Sequence, residues 1–102
     1  MKKNNITKYI RLPEDYKNFP TKLLDAAFYN VINDFSRADL LCEMQESLKE
    51  TKLIKARILL DDKNELKLNE LKELMEISIQ DAMCLAIFSY KKIFPGKLDG
   101  YE

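Results

Sequence analysis

The chain has 102 residues, enough for one domain with a modest core that needs neither disulfides nor metals. It is 46% hydrophobic with 17 basic and 17 acidic residues, which excludes a disordered polyelectrolyte and, for the whole chain, a polycation for nucleic acid. Histidine is absent, which excludes Ser-His and Cys-His catalytic pairs and His-containing metal sites.

Charge is unevenly placed along the chain. Residues 1–22 hold six basic and two acidic groups, whereas residues 23–50 hold two basic and six acidic. The segment 51–72 is again net basic, with six cations and four acids. The richness in Lys, Asn and Ile fits an A/T-rich bacterial or phage genome.

Residues 1–20 read as an N-terminal arm, residues 21–96 as a helical domain and residues 97–102 as a polar tail. Ile6, Tyr9, Ile10 and Leu12 are apolar, but Pro13 and Pro20 forbid one long helix, so a short extended piece is expected around Thr7–Leu12. Tyr16 and Phe19 would tack the arm onto the body. The first residues have the charge of a signal peptide but lack its long apolar stretch.

A first helix is expected from Pro20–Thr21, because proline suits a first helical turn. Leu24, Ala27, Phe28, Val31, Ile32 and Phe35 recur at helical spacing. A second helix is expected from Ser36, with Ser36 and Asp39 spaced as a capping box and Leu40, Leu41, Met44 and Leu48 as the inner face. With almost no loop between them, one kinked helix over about 21–50 is the alternative.

Residues 52–69 admit two readings. Leu, Lys, Ala and Arg favour helix. The alternation of Ile54, Ala56, Ile58 and Leu60, then Leu66 and Leu68, favours a hairpin around Asp61–Asn64. Propensity selects helix, with Asp62 and Glu65 as a capping box for the last helix. That helix is expected from Leu66 or Asn69 to Phe94, with Leu71, Leu74, Met75 and Ile77 inside and Pro95-Gly96 stopping it. No charged residue occurs between Asp81 and Lys91. A helix apolar on every face must be surrounded, so this segment is expected to form the core. At nine residues, the run 82–90 is too short for a membrane span, which needs about 20.

The expected fold is therefore an all-α bundle of three to four helices around a buried C-terminal helix. The alternative is α+β with a β-hairpin near 53–69. Cys42 and Cys84 fit no metal or redox spacing and are expected as buried thiols of a cytoplasmic protein. No cofactor, no membrane and no small-molecule substrate are expected. The missing catalytic parts argue against an enzyme. Glu70, Glu73 and Glu76 form an acidic row without the His that a helical-bundle metal site requires.

Two surfaces could carry function. Asp39, Glu43, Glu46 and Glu50 recur at spacings of four, three and four, which puts them in one helical stripe, and none of the first three has a lysine four residues on. This stripe would dock a basic protein partner, itself able to be a nucleic-acid-binding protein, in the manner of an inhibitor, immunity or adaptor factor. Alternatively, Lys2, Lys3, Lys8 and Arg11 of the arm, with Lys52, Lys55 and Arg57, would serve a nucleic-acid-associated subunit, with Lys17 beside them and Tyr9 and Tyr16 interleaved. Leu53, Ile54, Leu59 and Leu60 offer apolar surface for a homo-oligomer.

Overall fold

A computed structural model of the protein describes residues 5–16 and 19–94. It is an α+β fold, not the expected all-α bundle. In chain order the elements are β1 (Asn5–Pro13), a 3-10 turn (Glu14–Tyr16), a second 3-10 turn (Thr21–Leu23), α1 (Leu24–Ile32), α2 (Arg37–Ser47), β2 (Leu53–Asp61), α3 (Asp62–Met75) and α4 (Ile79–Ile93). The Pro95-Gly96 stop and the polar tail lie outside the described residues.

The two strands correct the sequence reading. β1 and β2 pair antiparallel from Asn5↔Asp61 to Pro13↔Leu53. The segment 53–61 is thus a strand, but its partner is the N-terminal strand and not residues 62–69, which are helical. Long-range pairing has overridden a weak helix propensity. Alternation decides which face is inside: Ile10 and Leu12 on β1 and Ala56, Ile58 and Leu60 on β2 point inward and are buried. Tyr9 and Arg11 opposite Arg57 and Lys55 point outward. A one-residue slip would expose the whole inner set, so this register is strongly specified.

The apolar run late in the chain takes the central place its composition demands. α4 packs against α1, α2, α3 and β1, and every residue from Ala82 to Ile87 is buried. Full burial of each Leu or Ile there contributes about 1.5–3 kcal/mol. Tyr16 is buried, and Phe19 sets its ring edge-on to Tyr90 at 5.5 Å. Among the described residues no helix is long and apolar enough to cross a membrane.

Three local expectations also change. The last helix is two helices, broken at Glu76, which adopts φ 55° and ψ 49°. The Ile77 N–H donates back to the Lys72 carbonyl at 3.1 Å, closing α3 with a Schellman-type turn. Ser78 then starts α4, its hydroxyl accepting from the Asp81 N–H at 3.1 Å. The α3 cap is Asp61 rather than Asp62; its carboxylate accepts from the Asn64 N–H at 2.8 Å. At Ser36 the capping box does not form; the Ser36 N–H donates instead to the Asp34 carboxylate at 2.7 Å.

Candidate functional site: two charged faces

The outer face of the sheet gathers cations from two distant stretches of the chain. The strand period of two places Tyr9 and Arg11 on the outer side of β1, and Lys55 and Arg57 on the same side of β2. Tyr9 lies opposite Arg57, and Arg11 lies opposite Lys55. All four are exposed. The Lys55 ammonium sits 5.7 Å from the centroid of the Tyr9 ring, a diagonal cation–π contact. Thr7 and Leu59 extend the face at one end as another registered pair.

This face is uniform in sign. The only carboxylate on either strand is Asp61, and it is committed to capping α3. Among the described residues no carboxylate forms an ion pair with Arg11, Lys55 or Arg57. Like charges directly opposite on neighbouring strands are destabilising, by a few tenths of a kcal/mol or more. Arg11 opposite Lys55 carries that cost, offset within the chain by the contact of Lys55 with Tyr9 and by no carboxylate among the described residues.

Of the other expected cations, Lys52 is exposed just before β2. Lys8 has the opposite parity, shares its register with Ile58, and pairs with Glu65 at 3.6 Å, so it leaves the outer face. Lys2, Lys3 and Lys17 lie outside the described residues.

Three of the four residues of the acidic stripe share a helix. Asp39, Glu43 and Glu46 lie on α2 and Glu50 just after it, and all four are exposed, while Leu40 and Met44 are buried against the core. Glu43 is neutralised: the Lys92 ammonium donates to both of its carboxylate oxygens, at 2.5 and 2.6 Å. Asp39, Glu46 and Glu50 have no such partner among the described residues. Cys42 is exposed on this helix, contrary to the expectation of two buried thiols, whereas Cys84 is buried; both are free.

Phe35 lies in the turn just before this helix, and helical spacing misplaced it. The periodicity of α1 puts it inside, yet the helix stops at Ile32 and Phe35 is fully exposed. The turn that carries it is tied down. The Arg37 guanidinium donates to the Ile32 and Asp34 carbonyls at 3.3 and 3.1 Å, and the Asn33 amide donates to the Tyr29 carbonyl at 2.8 Å. Asn33-Asp34, both poor in a helix interior, was the available sign.

Among the described residues no cluster of three or more Cys, Asp or Glu could hold a metal ion. Glu70, Glu73 and Glu76 are exposed side chains. Leu60 is buried, Leu53 and Ile54 are half-buried, and only Leu59 of that apolar group is exposed, which leaves little surface for self-association there. Comparison with known protein families, with curated proteins and with solved structures finds no match for this chain.

Proposed function

We propose that this chain is a non-catalytic, nucleic-acid-associated protein that grips phosphates through the outer face of its sheet. The single observation behind the reading is the convergence of Arg11, Lys55 and Arg57, from segments more than 40 residues apart, on one exposed face without a free carboxylate among the described residues. A face that keeps like charges in register at a cost to folding is matched to an anionic ligand. Three phosphate contacts give a logarithmic salt slope of about −2 on single strands.

The test is fluorescence anisotropy of a labelled oligonucleotide at about 50 mM salt, titrated with the purified chain. Binding should weaken along that slope. Lys55→Glu with Arg57→Glu should abolish it while circular dichroism stays unchanged, since both side chains are exposed. No binding by the natural chain at low salt would end the reading.

A second reading rests on α2. Asp39, Glu46 and Glu50 offer carboxylates without an ion pair among the described residues, and the fully exposed Phe35 stands on a tied-down turn at the start of the same helix. An exposed aromatic and unpaired carboxylates on one helix and its leading turn suit a basic protein partner, as an inhibitor, immunity or adaptor factor would use. In a nuclease-treated pull-down, Glu46→Lys with Glu50→Lys should lose a stoichiometric partner that the natural chain retains. Retention by the variant would exclude the stripe.

A further inference from the structure

We infer that the ligand of the sheet's outer face is a single-stranded nucleic acid, held by its phosphates and by one base stacked on Tyr9. The inference rests on the reading of that face as a nucleic-acid grip and specifies which form of nucleic acid it takes.

Shape is the first argument. A two-stranded ribbon reads duplex DNA by entering the major groove, about 12 Å wide and 8.5 Å deep. Here only the outer face of the ribbon is open to a ligand. Its inner face is packed against α3 and α4, so only outward side chains project from it. The two strands are not joined by a hairpin and so present no tip: β1 runs into a 3-10 turn and β2 directly into α3. The molecule measures 24 Å along its shortest axis, about twice the groove width, so its bulk stays outside a groove and only these short outward side chains could reach in.

Spacing is the second argument. Lys55 and Arg57 are two residues apart on one strand, which separates their Cα atoms by about 7 Å. Arg11 faces Lys55 across the ladder, about 5 Å away. The three cations therefore occupy a patch less than about 10 Å across before their side chains extend. Such a patch fits neighbouring phosphates of one strand and does not span a groove.

Tyr9 is the third. It stands in the midst of these cations and is 66% exposed, although it is a large aromatic that the core could have used. Lys55 lies over its ring, which holds the side chain on the cationic face. Unpaired bases offer a stacking surface to such a ring; bases inside a duplex do not. Phosphate contacts and base stacking are common to both sugars, so single-stranded RNA and DNA of equal length should bind alike.

The experiment compares four ligands on the natural chain under the same low salt: a pyrimidine RNA strand, the equivalent DNA strand, a duplex of that DNA, and inorganic polyphosphate. The single strands should bind alike, and about tenfold or more tighter than the duplex. Tyr9→Ala should lose about tenfold on the single strands with no change on polyphosphate, and Tyr9→Phe should restore the loss. A duplex bound as tightly as the single strands, or an unaffected Tyr9→Ala, would overturn the inference and leave the phosphate grip standing. Absence of binding to any nucleic acid would remove the grip itself. A preference for RNA over DNA of more than about tenfold would overturn the assignment of contacts to phosphate and base alone.

Discussion

The two cysteines lie in opposite environments, and their chemistry should divide accordingly. Cys84 is on the buried side of α4, where burial first and the Asp81 carboxylate second push its thiol from the ordinary 9.0 up to about 12. Tyr16 is raised in the same way, by burial, then by Asp15 and Cys84. An acid with a raised native pKa stays protonated in the fold after the unfolded chain has begun to ionise. Between the two pKa values the unfolded state binds fewer protons, so stability falls as pH rises. For Cys84 that window opens near 9 and closes near 12. The melting temperature should thus be free of these groups' influence below about pH 8 and decline from about pH 9 upward. Cys84→Ala should flatten the start of that decline. At neutral pH a thiol reagent should label one cysteine of the folded chain, Cys42, and reach the second only after denaturation. Rapid labelling of both with intact helicity would contradict this placement.

At the scale of elements, the junction between α3 and α4 is decided by one backbone angle. Glu76 is the only described non-glycine residue with positive φ. A side chain in that region clashes with the next carbonyl at a cost of about 1 kcal/mol, and glycine is the usual occupant of this position. Glu76 is exposed, so burial of its side chain returns nothing for the strain. Glu76→Gly should raise stability by about 0.5–1 kcal/mol, or several degrees in melting temperature, after the extra freedom of glycine in the unfolded chain is offset. An unchanged or lower melting temperature would show that the turn is not strained. The same junction explains why the break was hidden in the sequence. With neither glycine nor proline between Lys72 and Ser78, the periodic pattern reads through it. Only Ser78 and Asp81, spaced as a cap, mark the restart. The α4 core run, by contrast, was legible because nine consecutive residues without charge leave no solvent face to assign.

The whole molecule depends on a pairing that no local window contains. β1 and β2 are separated by α1 and α2, and only three residues of β1 and two of β2 are β-branched, so local propensity points away from a sheet. Burial of one face holds the strands: Leu12 and Leu60 are fully enclosed, and Ile10 and Ile58 nearly so. The cationic site was half legible for the same reason. Arg11, Lys55 and Arg57 were visible as residues, but their meeting on one face required the ladder, and Lys8, one position away from that face, went to Glu65 instead. If β1 is part of the one core and not a dispensable arm, truncating a side chain in it must weaken the entire fold. Leu12→Ala should therefore cost about 2–5 kcal/mol, like Leu85→Ala in α4, and both variants should melt in a single transition lowered by a similar amount. A loosely attached arm would behave differently. Leu12→Ala would then leave the main transition in place and add at most a small early loss of signal. Equal shifts would also bind the two scales together: a nucleic-acid face whose geometry rests on β1 would melt with the core, and oligonucleotide binding by Leu12→Ala should disappear at its own lowered transition and not before.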